Sequence, residues 1–255
     1  MRVLLPDDRC GEMVAPDPSE SLLRELYAHP SGRWLRANMV STLDGAATGP
    51  DGLSGSISSD ADKRVFGVLR TLADVVLVGA GTVRAERYAP EEPPAELAAL
   101  RTTEGRRPAP PFAVVTRSCD VPAALFEPGL GTLVVTCTAA GPSALARLRD
   151  LAGDDGVVVA GDEAVDIPRA LDALAERGLR HVLCEGGPTL LSEITSAGAL
   201  DELCLTTSPV IATGVARRID VASVPGPGLR VAPALLLGGH DGSLIGRWVI
   251  SRPAS

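Results

Sequence analysis

Lysine is almost missing from this 255-residue chain, with Lys63 as its single instance. It does not follow a glycine-rich loop, which excludes a Walker-type phosphate site. Neither Tyr27 nor Tyr88 has a lysine near it, so the Tyr-x-x-x-Lys pair is absent, as is a Gly-x-Ser-x-Gly elbow. The five cysteines, at positions 10, 119, 137, 184 and 204, form no Cys-x-x-Cys and no Cys/His pair at metal spacing. They read as small buried hydrophobes in a reducing compartment, no metal is expected, and the zinc deaminases are excluded because they need His-x-Glu and Pro-Cys-x-x-Cys. No apolar run approaches the ~20 residues that span a bilayer. The stretch Met1 to Asp8 breaks after three apolar residues and does not read as a signal peptide. Basic excess is lacking as well: a net charge of −8 argues against nucleic acid as a partner. The expectation is a cytoplasmic protein with no membrane or nucleic-acid partner.

With 45% hydrophobic and 22% charged residues, the composition suits one large α/β domain. Its organising stretch runs from Trp34 to Tyr88. Trp34 to Val40 reads as a buried strand, followed by the turn dipeptide Asp44-Gly45. Gly49, Gly52 and Gly55 keep the next loop permissive, and Ser59 offers an N-cap oxygen to a helix over 60–72. Val75 to Val78 is a fully apolar strand running into Gly79-Ala80-Gly81-Thr82. Strand, helix and strand suggest a parallel pair with a right-handed crossover. Asp44 and Gly79 to Thr82 would then share the carboxyl-end edge of a sheet, where open α/β sheets bind ligands.

Residues 1–33 read as an amino-terminal extension with one short helix, and residues 34–252 as a single domain. His29, beside Pro30, reads as a surface turn residue. The proline-rich stretch from Glu86 to Pro111 reads as a long surface loop with a short helix around 94–100. Arg101, Arg106 and Arg107 within it read as a solvated charge run that could alternatively reach an anionic ligand. From Phe112 apolar strands alternate with helical patterns. His181 to Cys184 leads into Glu185-Gly186-Gly187-Pro188-Thr189, where a glycine pair before a helix lets backbone N–H groups approach a phosphate. Segments 229–237 and 244–250 flank Gly238 to Gly242 as a closing hairpin that makes the sheet mixed, with His240 as a turn residue at its tip. The ordinary dinucleotide fingerprint fails, because Arg84 occupies the third glycine position after Gly79-Ala80-Gly81.

Four segments in this order and spacing are specific where each alone is weak: Asn38 to Gly45, the helix ending Val68-Leu69-Arg70, Val76 to Val83, and Glu185 to Leu190. Together they resemble the reductase domain of riboflavin biosynthesis, the carboxyl-terminal half of the RibD deaminase/reductase. The resemblance covers about residues 34 to 250 and is greatest to stand-alone reductases that lack the deaminase half.

The resemblance implies a dihydrofolate-reductase-like fold with a mixed, mostly parallel sheet flanked by helices. It also implies a homodimer, and NADPH-dependent reduction of 5-amino-6-(5-phosphoribosylamino)uracil to its ribitylamino product. Carried over by residue, it places the cofactor near Val40, Ser56, Gly79, Gly81, Thr82, Glu86 and the segment Gly186, Gly187, Pro188, Thr189 and Leu190. Thr116 and Arg117 would hold an adenosine 2′-phosphate, selecting NADPH over NADH. Substrate contacts fall on Asn38, Ser54, Arg70 and Glu185. Asp44 is expected beside the nicotinamide and the reacting carbon, with Glu185 as a second catalytic carboxylate. After the Gly-x-Gly-Thr-Val turn, pathway reductases carry Asp-Asp-Pro-x-Leu-Thr-x-Arg. Here the chain reads Arg84-Ala85-Glu86-Arg87-Tyr88-Ala89-Pro90, which keeps the first acid and lacks the proline and the later arginine. A dihydrofolate or other pteridine reductase and a catalytically silent NADP-binding dimer remain as alternative readings.

Overall fold

Apolar strands with no polar face are stable only when covered on both sides, and this chain arranges them in one ten-stranded sheet. In the computed structural model, which describes residues 1–88, 92–213, 217–220 and 228–251, the strands are β1 (Arg2–Leu5), β2 (Trp34–Thr42), β3 (Val75–Gly79), β4 (Phe112–Val115), β5 (Leu133–Thr136), β6 (Val157–Val159), β7 (His181–Cys184), β8 (Glu202–Ser208), β9 (Val231–Gly238) and β10 (Leu244–Ile250). Helices α1 (Ser21–Leu26), α2 (Asp60–Leu72), α3 (Ala80–Ala85), α4 (Ala95–Thr103), α5 (Pro142–Ala152), α6 (Ile167–Glu176) and α7 (Pro188–Ser196) connect or cover them. The sheet order is β1-β9-β10-β8-β2-β7-β3-β4-β5-β6. Strands β2 to β8 run parallel. β10 and β9 fold back as the expected antiparallel hairpin. No helix among the described residues is long and apolar enough to cross a membrane.

Strand alternation divides the core. Val76 and Val78 face one side, where Leu23, Leu26, Val65, Val68 and Leu69 of α1 and α2 pack. Val75 and Leu77 face the other, with Leu171 and Leu174 of α6 and Leu190 and Ile194 of α7. Ser59 caps α2 as its sequence suggests, its side chain accepting from the Asp62 N–H at 3.2 Å.

One topological expectation needs correction. β2 and β3 are parallel strands of one sheet but are not neighbours, because β7 lies between them and pairs with both. A distant segment, not the local crossover, supplies the partner. The carboxyl ends of β2, β7, β3 and β4 therefore stand side by side, and Glu185 emerges between the Asp44 turn and Gly79.

Residues 1–33 contain α1 and also β1, which pairs with β9 at the sheet edge. Met1, Val3, Val14 and Leu23 enter the core. The buried Arg36 donates through Nη1 to the Tyr27 carbonyl at 2.9 Å and through Nε to Glu202 Oε1 at 2.6 Å, tying this segment to β2 and β8. His29 is not a free surface turn residue: its ring stacks on His181 with centroids 4.4 Å apart, and burial pushes its pKa down to about 2. His240 is exposed at the hairpin tip.

Arg101 likewise departs from the solvated charge run. It is 1% exposed and donates to the carbonyls of Thr71 at 2.8 Å, Ala73 at 2.6 Å and Arg107 at 2.8 Å. Carbonyls at a helix end lack intrahelical donors, and this guanidinium supplies them for α2. Burial lowers its pKa to about 10, which still leaves it charged at neutral pH. Arg106 also turns inward, to the Leu72 carbonyl at 3.2 Å. Replacing Arg101 with Leu is expected to lower the unfolding free energy by ~2–4 kcal/mol, since several buried carbonyls lose a charged donor at once. Urea denaturation followed by circular dichroism measures this; a change under ~0.5 kcal/mol would remove the capping role.

Candidate active site

A cavity of about 960 Å³ lies over one face of the sheet, lined by Asn38 to Val40 in the middle of β2, Val76 of β3, Phe112 at the start of β4 and Glu185 just past β7, and is walled by α2. Asp62, Phe66 and Arg70 line it from successive turns of α2, an i, i+4, i+8 series that places them on one helix face. Asn38, Met39 and Val40 of β2, Ser54 of the glycine loop, Glu86 to Tyr88 and Glu185 complete this end. The cavity extends beneath Pro108 to Pro110, where Arg107 also lines it and donates to the Gly129 carbonyl at 2.6 Å.

At the cavity's centre Arg70 and Glu185 form a two-pronged pair, Nε to Oε1 at 2.7 Å and Nη2 to Oε2 at 2.8 Å. This geometry matches a planar guanidinium to a planar carboxylate. Glu185 is buried, and its own N–H donates to the Leu77 carbonyl at 3.0 Å, so β7 pairing sets its place. The Tyr88 hydroxyl donates to Glu185 Oε2 at 2.7 Å. Burial, then the neighbouring Glu185, push the Tyr88 phenol well above its ordinary range, so it remains an O–H donor.

The chain has only three phenylalanines, two tyrosines and two tryptophans. Phe66, Tyr88 and Phe112 surround the Arg70 guanidinium, with ring centroids 4.3, 5.7 and 5.6 Å from Cζ. Aromatic faces attract a cation and keep water from it, which strengthens its pairing with the carboxylate.

A second carboxylate, Asp62, is buried with Oδ1 accepting from Thr206 Oγ1 at 2.6 Å and Oδ2 from Ser58 Oγ at 2.5 Å. Glu86 Oε1 accepts from the Ser54 N–H at 3.0 Å, which fixes the glycine loop at the cavity rim.

Next to Glu185 lies a strip of close backbone. The Gly79 N–H donates to the Gly186 carbonyl at 2.8 Å, and the Gly186–Gly187 peptide is cis. Gly186 has φ +82°, and a Cβ there would sit 3.1 Å from Met39 Sδ. A Cβ on Gly187 would sit 2.5 Å from Thr82 Oγ1. Only glycines let the two turns approach in this way. Pro188 then opens α7, Thr189 is exposed, and Leu190 anchors the helix in the core. Thr82 lies inside α3, and Gly81 is exposed on that helix.

The structure thus brings Asn38, Val40, Ser54, Arg70, Glu86 and Glu185 to one cavity. Gly79, Gly81, Thr82 and Gly186 to Leu190 do not line it, although Gly186 follows Glu185 directly and accepts from the Gly79 N–H. Four other candidates stand elsewhere. Ser56 is exposed and bonded to Asp51 Oδ1 at 2.7 Å. Thr116, at the end of β4, is buried and its Oγ1 accepts from the Cys119 N–H at 3.0 Å, while Arg117 is exposed. Asp44 is exposed and does not line the cavity; its Oδ1 accepts from Thr42 Oγ1 at 2.5 Å and from the Ala212 N–H at 3.0 Å. These bonds hold the Asp44 carboxyl below its usual range. Phe66, Tyr88, Phe112, Asp62 and Lys63 line the cavity without having been named from sequence as site residues. For the α2 residues a signal existed in their helical spacing, whereas Tyr88 lies in a stretch without periodicity.

The family described as the RibD C-terminal domain matches residues 33–231. The chain is 31% identical to the 2,5-diamino-6-ribosylamino-4(3H)-pyrimidinone 5′-phosphate reductase of Archaeoglobus fulgidus, over 71% of this chain and 82% of that protein. It is 29% identical to the riboflavin biosynthesis protein RibD of Mycobacterium tuberculosis, covering 84% of this chain but about half (52%) of that longer protein. A crystal structure of a pyrimidine reductase-like protein from Corynebacterium diphtheriae superimposes with a TM-score of 0.77 at 27% identity, over 87% of this chain and 93% of that one. The four sequence segments, the sheet that sets them side by side and the match over most of the length agree, and the chain belongs to the family of the RibD C-terminal domain.

Proposed function

We propose that this protein is an NADPH-dependent reductase of a phosphorylated ribosylaminopyrimidine in riboflavin biosynthesis, with 5-amino-6-(5-phosphoribosylamino)uracil as the leading substrate. The observation that carries this reading is the adjacency of two unlike surfaces. The enclosed Arg70–Glu185 pair adjoins, within one residue, the glycine strip Gly186-Gly187. A pyrimidine held by the first would face a nicotinamide lying along the second. The names of the relatives, which are reductases of such pyrimidines, support it.

The residues fit a dinucleotide. The close approach of Gly187 to Thr82 leaves no room for a side chain, and the first turn of α7 points backbone N–H groups outward. When bound, the cofactor supplies the hydride. A carboxylate offers about four acceptor sites. Arg70 and Tyr88 take three of those on Glu185, and the remaining one faces a ring or amino N–H of the substrate. Glu185 so orients the ring, and Asn38 and Ser54 present further polar groups at the rim. Lys63 and Arg87 line the cavity and provide positive charge for the phosphate that the resembled arginine would otherwise hold. Asp44 acts at a distance, holding the turn after β2 against Ala212. The homodimer has a candidate surface in the half-buried apolar face of β8 and β10, where Leu203 opposes Trp248.

The first test follows loss of NADPH absorbance with the phosphoribosylaminouracil, its 2,5-diaminopyrimidinone counterpart and dihydrofolate as acceptors. Turnover of either pyrimidine well above dihydrofolate is expected, and dihydrofolate as the preferred acceptor would overturn the reading. Glu185→Gln is expected to lower kcat/KM by about 100-fold or more while NADPH affinity stays within about twofold. Asp44→Asn, which keeps an acceptor oxygen for the turn, is expected to lose less than about tenfold; equal losses in the two variants would return Asp44 to the reacting centre. Trp248→Glu is expected to convert a dimer to a monomer in sedimentation equilibrium, and a monomeric parent protein would remove the dimer.

A further inference from the structure

Tyr88 does more at this site than fill space. It lies in the run where the chain departs from the resembled pattern, beyond α3 and after Arg87, which holds a left-handed φ of +54°. Such a conformation is unfavourable for a side chain with a Cβ, and it persists where surrounding contacts require it. Here it reverses the chain so that the Tyr88 N–H donates to the Val83 carbonyl at 2.9 Å and the ring turns inward. The ring meets Phe112 edge to face, with centroids 5.6 Å apart. One residue thereby touches both members of the ion pair, its ring against the Arg70 guanidinium and its hydroxyl on Glu185.

The bonds on Glu185 are unequal. Oε2 accepts from both Arg70 Nη2 and the Tyr88 hydroxyl, whereas among the described residues Oε1 accepts only from Arg70 Nε. A guanidinium alone permits the carboxylate to rock in its plane; a third donor on one oxygen removes that freedom and leaves Oε1 with the larger unused acceptor capacity. Among the described residues the hydroxyl's hydrogen-bond acceptor is Oε2, to which it donates at 2.7 Å.

We propose that Tyr88 is a positioning residue that orients Glu185, so that Oε1 receives the N–H of a bound pyrimidine. This inference rests on the reading of the site as a pyrimidine reductase. It assigns to the 86–88 run a substrate-selecting task in place of the missing proline and arginine: Glu86 holds Ser54 and Tyr88 holds Glu185.

The test is Tyr88→Phe, which keeps the ring contacts with Arg70 and Phe112 and removes only the hydroxyl. Loss of one hydrogen bond to a charged group predicts a fall in kcat/KM for the pyrimidine of about 10- to 100-fold. The NADPH KM and the melting temperature are expected to stay unchanged. In a Glu185→Gln background the same substitution should have little further effect, because the two act as one unit. A Tyr88→Phe enzyme equal to the parent, a parallel rise in the NADPH KM, or an effect of undiminished size in the Glu185→Gln background would each overturn the role. A parent protein that turns over neither pyrimidine would overturn instead the reading on which the role depends.

Discussion

The backbone pairing of β7 between β2 and β3 is the constraint on which the site depends. Strands that follow one another in the chain often pair, but here a segment more than a hundred residues downstream takes the central place. Two bonds continue this pairing past the strand end, from the Glu185 N–H to the Leu77 carbonyl and from the Gly79 N–H to the Gly186 carbonyl. They bring the carboxylate and the glycine strip to the sheet edge as one piece. Because these are main-chain bonds in a covered parallel sheet, they leave little play, and a site built on them is held more accurately than one on loops alone.

Side-chain charge is then arranged around that piece. Arg70 and Arg101 are both largely enclosed, yet they do opposite work. Arg101 closes the carboxyl end of α2 through carbonyl oxygens. Arg70, on the last turn of the same helix, meets a full negative charge on Glu185 within a shell of three aromatic rings. One guanidinium holds the helix end and the other uses the helix to reach Glu185 in the cavity. The enclosure by Phe66, Tyr88 and Phe112 raises the strength of this pair by excluding water and lowering the local dielectric constant, and it concentrates much of the chain's small aromatic content at one point.

Much of the fold was legible along the chain because its signals are local. Apolar runs such as Val75 to Val78 and the Ser59 cap before 60–72 announce strand and helix by their own chemistry, and the hairpin over 231–250 follows from its glycine tip. Arg70, Glu185 and the glycine strip were legible through motif spacing. His29 and Arg101 were not. Each was read as exposed from its neighbours in sequence, and each is covered by residues far from it: His29 by His181, and Arg101 by the end of α2. Asp44 illustrates the converse. Its turn was correctly placed at a strand end, but its carboxylate is engaged by the Ala212 N–H, a partner that no local pattern indicates.

By itself the sequence determined which segments become strands and helices, where the glycines permit close backbone, and which family the chain resembles. These depend on residue type and near neighbours. Tertiary structure alone decided that β7 separates β2 from β3, that Tyr88 meets Glu185 across 97 positions of chain, and that three aromatic rings close around one arginine. Such contacts join residues with no regular spacing between them, and they exist only once the sheet order has set their distances.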